Sequence, residues 1–157
     1  MILSRTERPG WLEIFTRIAS TMSERSTCPR AQTGAVITSS DNHILATGYN
    51  GSPSYVPHCI DVGCHIVDGH CVRAIHSETN ALLQAAKIGV SVRGGTIYCT
   101  HRPCIHCAKM IAQAGITGIV FLQEYDSDGQ LDFVKGVLLA SGVLLAKWDG
   151  ARLNIVV

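Results

Sequence analysis

Charge and aromatic side chains are both scarce in this chain: of 157 residues only 16% are Asp, Glu, Lys or Arg, and only 6% are Phe, Trp or Tyr. Lys and Arg number 13 against 12 Asp and Glu, a formal net charge of +1. Without a strong field of one sign, a long nucleic acid is excluded as a partner, while a small anion held by a few local cations is not. No apolar run approaches the roughly 20 residues needed to span a bilayer, which argues against a membrane protein. Residues 1–8 are polar and lack the apolar stretch of a signal peptide. Internal repeats, linkers and low-complexity stretches are also missing, and a hydrophobic fraction of 46% excludes a disordered tail. What the chain has in quantity is 7 Cys, 7 His and 15 Gly.

Those cysteines are not needed for stability. A single domain over residues 1–157 hides roughly 70% of its unfolded surface, enough for a core without staples. The expected compartment is the cytoplasm, where thiols stay reduced. There, an odd number of Cys interspersed with His favours metal ligation or catalysis over disulfides.

The hydrophobic pattern gives the order of elements. After Pro9, the three- and four-residue spacing of Trp11, Ile14, Phe15 and Ile18 predicts a helix to about Arg25. Ala35, Val36 and Ile37, then Ile44, Leu45 and Ala46, flank a polar tetrapeptide and read as a β-hairpin. The turn-forming Gly48-Tyr49-Asn50-Gly51-Ser52-Pro53 follows, and then an irregular stretch to about Arg73 that holds three Cys and three His. A loop of that length inside a compact domain is usually functional or fastened by something. Helices over 77–87, from Pro103 to Gly115, and over 131–140 alternate with strands over 96–100, 118–122 and 143–146. The order α-β-β-α-β-α-β-α-β predicts an α/β fold, a three-layer α/β/α sandwich around a central five-stranded mixed sheet.

Two motifs open consecutive helices: His76-Ser77-Glu78 and Pro103-Cys104-Ile105-His106-Cys107. Positions i and i+3 share a helix face, so the Cys104 and Cys107 sulfurs can converge on one ion. The positive end of a helix dipole favours the thiolate that a metal needs. With His76 they make three ligands for Zn²⁺, the open set of a catalytic site, and Glu78 can serve water chemistry without binding the metal. An isolated Cys-x-x-Cys is weak, with a redox pair or half a zinc knuckle as rivals, and a lone His is more often a cap. Both motifs at helix starts, roughly thirty residues apart, make coincidence improbable.

His-x-Glu followed by Pro-Cys-x-x-Cys is the established signature of the zinc nucleobase deaminases. The resemblance covers nearly the whole chain. Arg8-Pro9-Gly10-Trp11, Arg25-Ser26-Thr27-Cys28, Thr33-Gly34-Ala35-Val36, the 48–53 turn, Gly69-His70-Cys71-Val72-Arg73 and the two metal motifs resemble the deoxycytidylate (dCMP) deaminases, particularly the bacterial late-competence type. One departure is Ser77, where the family usually has Ala. The resemblance implies hydrolytic conversion of dCMP to dUMP and ammonia, which supplies dUMP for thymidylate synthesis. Glu78 would take a proton from water and return protons to ring N3 and to the departing amine. The alternatives are a deaminase of another cytosine nucleoside or nucleotide, or a non-catalytic zinc-binding module that would have no use for Glu78.

By the same resemblance, Asn50 would hydrogen-bond the pyrimidine or sugar, although turn chemistry explains its neighbours equally well. Tyr125 reads as a substrate contact or as a half-buried surface aromatic. Gly51 and Ser52 would lie near the nucleotide and the subunit interface. Arg25, Arg30, Lys87 and Arg102 are candidate partners of the phosphate, and the sequence does not choose among them. Four of Cys28, Cys59, Cys64, His70 and Cys71 would fill a second, structural zinc site, with Cys28 and Cys59 favoured first. Cys99, in a strand, reads as a small buried hydrophobe. A hexamer activated by dCTP and inhibited by dTTP is also implied by the resemblance alone.

Overall fold

The computed structural model describes residues 8–125 and 129–157. Helix α1 (Trp11–Ser23) leads into the hairpin β1 (Gly34–Thr38) and β2 (Ile44–Tyr49), whose turn places Asn42 at φ 67°. A short helix α2 (Cys59–Val62) and a small ladder of β3 (Ile66–Val67) and β4 (His70–Cys71) occupy the irregular stretch. Then come α3 (Ser77–Ile88), β5 (Thr96–His101), α4 (Ile105–Gln113), β6 (Gly118–Gln123), α5 (Leu131–Ala140), β7 (Leu144–Trp148) and β8 (Leu153–Ile155).

The main sheet runs β2-β1-β5-β6-β7-β8. β5, β6 and β7 are parallel to one another, and β2, β1 and β8 are joined by antiparallel pairs. The sheet is mixed and lies between helices, as the sequence predicts, but it has six strands and not five. The added strand, β8, is three exposed residues paired to β7, too short and too solvated to leave an apolar signature. The fourth helix also begins later than predicted: Pro103 precedes it and Cys104 is its N-cap.

Alternation along the strands divides the core in two. Ala35, Ile37, Ile97, Cys99, Ile119 and Phe121 face α3, α4 and α5, while Val36, Tyr98 and Val120 face Phe15 and Ala19 of α1. Phe15 stacks on Trp11 at 5.3 Å and meets Tyr98 at 5.1 Å between ring centroids. At two points the sheet admits no side chain. A Cβ on Gly34 would lie 2.1 Å from the Ala19 carbonyl oxygen of α1, and one on Gly48 would lie 2.3 Å from the Ser77 carbonyl oxygen of α3. Backbone contact on both faces of the hairpin thus requires glycine there. No helix among the described residues is long and apolar enough to cross a membrane.

Candidate metal centre and cavity

The chain enters α3 through a backbone clasp in which Gly51 and Ile75 exchange hydrogen bonds at 3.2 and 2.8 Å. That clasp, with the close seat of Gly48 on Ser77, fixes His76 as the N-cap of α3. β5 delivers Cys104 to the N-cap of α4, with Cys107 one turn on. His76 Nδ1 stands 3.5 Å from both Cys104 Sγ and Cys107 Sγ, and the three ligand atoms lie within 4.8 Å of one another. The Cys107 thiol donating to Cys104, together with His76, pulls Cys104 far below the usual thiol range and leaves Cys107 far above it. One imidazole with two sulfurs gathered at this spacing is a donor set suited to zinc.

Glu78 is 6% exposed. Burial raises its carboxyl pKa, opposed by hydrogen bonds, among them one at 3.0 Å from the Ser77 hydroxyl to Oε2. Ser77 therefore supplies a donor to this carboxylate. Cys99 lies beneath in the strand, 1% exposed, its thiol held protonated by burial and then by Glu78.

Above the cluster opens a cavity of about 260 Å³. His76, Glu78 and Cys104 line it together with Asn50, Arg30, Arg102, Tyr125, Cys28, His70 and Cys71. Of the four candidate cations, Arg30 and Arg102 reach this wall, while Arg25 and Lys87 do not. Lys87 sits in the last turn of α3, about 16 Å along the helix from His76. Gly51 and Ser52 are absent from the lining: Gly51 belongs to the clasp, and the Ser52 hydroxyl donates to the Pro57 carbonyl at 2.9 Å.

Several of these side chains already have tasks. Asn50 accepts from the Thr33 N–H at 2.9 Å and donates to the Ala31 carbonyl at 2.7 Å, so its amide braces the 31–33 segment. Arg102, 5% exposed, pairs through Nε with Glu124 at 2.9 Å and donates through Nη2 to the Tyr125 carbonyl. Arg30 donates to the Gly69 carbonyl at 3.0 Å, tying the end of the first loop to the insertion. Sequence reasoning missed Thr33 and His101, which also line the cavity. The available signal was position, since ligands of open α/β sheets gather outside the carboxyl ends of parallel strands, where β5 ends in His101.

A second sulfur cluster lies on the insertion. Cys59, Cys64 and Cys71 have ligand atoms within 4.8 Å of one another, and Cys59 Sγ to Cys71 Sγ is 3.6 Å. Burial and the Cys71 thiol push Cys59 up to about 11. Cys71, despite a burial penalty, is held down to about 7 by the backbone at Ala74 and Arg73. Cys28 is buried and close enough for its charge to act on Cys64. His70, on β4, is outside this three-sulfur group and lies on the cavity wall.

A three-layer α/β sandwich that gathers an imidazole and two thiols under a cavity is a metal-binding α/β domain. Residues 9–123 match the family model described as the cytidine and deoxycytidylate deaminase zinc-binding region, and the chain belongs to that family. It is 46% identical over 119 residues to the ComE operon protein 2 of Bacillus subtilis, covering 76% of this chain and 62% of that one. It is 36% identical over 127 residues to the deoxycytidylate deaminase of Saccharomyces cerevisiae, covering 77% and 40%. The chain thus spans less than two thirds of the length of these two relatives. Among solved structures, the dCMP deaminase of cyanophage S-TIM5 in complex with dCMP and dUMP superposes with a TM-score of 0.76 at 35% identity, covering 90% of this chain and 99% of that one.

Proposed function

We propose that this chain is a zinc-dependent deaminase that hydrolyses dCMP to dUMP and ammonia. The observation that carries this reading is a buried carboxylate, Glu78, beside the His76, Cys104 and Cys107 donors on the floor of a cavity of about 260 Å³. The similarity to proteins named deoxycytidylate deaminase, and to a structure holding dCMP and dUMP, supports the choice of substrate.

His76, Cys104 and Cys107 would hold the zinc. When bound there, the ion supplies Lewis acidity that brings the pKa of water toward neutrality. Glu78 accepts one proton of the attacking water and passes it to cytosine N3, then takes the second proton from the new C4 hydroxyl and passes it to the amine as the C4–N bond breaks and the carbonyl forms, acting each time first as base and then as acid. Its burial suits both roles, since a raised carboxyl pKa brings it nearer the operating pH. Asn50 and the 31–33 segment it braces form one side of the base and sugar pocket, and Tyr125, held by Arg102, forms another. Arg30 is the cation proposed for the 5′-phosphate, because it is exposed at the mouth, whereas the Arg102 guanidinium is buried against Glu124.

A second, structural zinc is proposed on Cys59, Cys64 and Cys71, with Cys28 as the fourth ligand and His70 as the bystander. A single deaminase domain over 1–157, a cytoplasmic setting suited to its reduced thiols, hexameric assembly, dCTP activation and dTTP inhibition complete the reading carried over from the family. Pure protein incubated with dCMP, deoxycytidine and dCTP, with ammonia release followed, tests the activity. Turnover of dCMP in preference to the others is expected, and no turnover of any of them would sink the enzyme reading. A dose series of dCTP and dTTP, with sedimentation, tests control and assembly.

A further inference from the structure

His101 has no part in the reading above, yet it stands half-buried at the end of β5 on the cavity wall. Its Nδ1 is 3.1 Å from the Thr100 hydroxyl, which in turn accepts a hydrogen bond from the Gly34 N–H at 3.1 Å. Thr100 is 6% exposed, and a buried hydroxyl proton is almost always donated somewhere. Nδ1 is the one acceptor facing that hydroxyl among the described residues, so the hydroxyl donates and Nδ1 accepts. A neutral imidazole that accepts at one nitrogen carries its proton on the other. Burial disfavours the imidazolium form of this ring, in keeping with a neutral side chain. The proton therefore sits on Nε2, which makes no hydrogen bond among the described residues. It is also not a sealed atom, since among the described residues the buried polar side-chain atoms without partners are Arg73 Nε and Arg102 Nη1.

Exposure rises across the cavity from Glu78 on the floor, through His101, to Arg30 at the mouth. A nucleotide whose reactive ring edge must reach Glu78 lies along this gradient, base inward and phosphate outward. The middle level then faces its sugar and phosphate oxygens.

We propose that His101 is a substrate-binding residue whose Nε2–H donates a hydrogen bond to an oxygen of the nucleotide's sugar–phosphate group. The relay from Gly34 N–H through the Thr100 hydroxyl fixes the tautomer and aims the ring. This assignment rests on the nucleotide reading above.

His101→Asn places an amide near Nδ1 and removes the donor at Nε2, whereas His101→Gln keeps an N–H close to the Nε2 position. The Asn variant is expected to raise KM for dCMP about tenfold with kcat little changed, and the Gln variant to stay within about threefold of wild type. If the acceptor is the phosphate, the Asn penalty disappears with deoxycytidine; if it is a sugar oxygen, the penalty persists with both substrates. Wild-type KM in both variants, or a loss confined to kcat, overturns the proposal. Titration of dUMP into the same proteins reads the contact without turnover, so failure of the deaminase reading and failure of this one are distinguishable. ¹⁵N spectra of the His101 ring supply the remaining arm: an unprotonated Nδ1 is expected, and an Nδ1–H tautomer would overturn the relay.

Discussion

The molecule gathers sulfur twice, and the two gatherings are built differently. Cys104 and Cys107 ride the first turn of a nine-residue helix whose buried face packs into the main core, and His76 caps a twelve-residue helix beside it. Cys59 sits on a four-residue helix, Cys71 on a ladder of two-residue strands and Cys64 on the link between them, among exposed Ile60, Val62, Ile66 and Val67. The first set is carried by helices that pack into the main core, so the scaffold itself positions its ligands. Around the second set the regular structure is too short to organise itself, and there the proposed ion would act as the fastener. The two sets meet at one cavity, to which the first gives His76 and Cys104 and the second gives Cys71.

The contrast can be broken by separating chemistry from scaffolding. The largest expected effect is at Glu78: Glu78→Gln should lower kcat by about 10³-fold or more while zinc content is unchanged. A variant that kept most of the wild-type rate with zinc bound would disprove the proton-shuttle role.

Next in size are the ligands themselves. Cys104→Ser should abolish turnover and remove one zinc per chain by metal analysis, with the melting temperature changing little, because α3 and α4 are anchored by Ala81, Ala85, Ala108 and Ile111 in the main core. Cys59→Ser should also remove one zinc, but with the opposite signature: a Tm lowered by several degrees, KM raised through the displaced Cys71 wall, and kcat within about fivefold. A fully loaded wild-type protein with a single zinc per chain would eliminate the second site.

Gly48→Ala offers a smaller perturbation of the preformed side. Forcing a Cβ against the α3 backbone should destabilise the fold by about 1–3 kcal/mol, read as a shift in the chemical-denaturation midpoint. An unchanged midpoint would mean that α3 can shift freely on β2. The smallest effect expected is that of Ser77→Ala, which deletes the donor to Glu78 and should alter kcat by less than about fivefold.

What the sequence disclosed follows the same division. Apolar spacing in α1, α3 and α5, and β-branched runs in β5 and β6, reflect burial against the sheet, so the layers were readable from residue types. His76, Glu78, Cys104 and Cys107 were readable because each pair lies within one turn of chain. β8 escaped because its three residues bury nothing. The grouping of Cys59, Cys64 and Cys71 without His70 escaped because it depends on how the short ladder folds back, with Ile66 opposite Cys71 and Val67 opposite His70. His101 escaped because its role depends on Thr100 and on Gly34, which is 66 residues from Thr100 along the chain. Arg102 is legible as a candidate cation on the cavity wall, but its bonds to Glu124 and the Tyr125 carbonyl are not, because they depend on how the chain continues after β6.

The paired glycines of the hairpin carry a last consequence. Gly34 lets α1 touch one face of the sheet and Gly48 lets α3 touch the other, and these strands pair with Ala35 opposite Gly48 and Gly34 opposite Tyr49. The sheet is thus at its thinnest where the loop after α1 and the start of α3 converge on the cavity. Two hydrogen atoms act as the gauge of that gap, since any methyl group at either position would move a wall of the binding site without touching a ligand. A search for altered substrate breadth would therefore do well to vary the packing around positions 34 and 48, far from the reacting atoms, as well as the side chains that line the cavity.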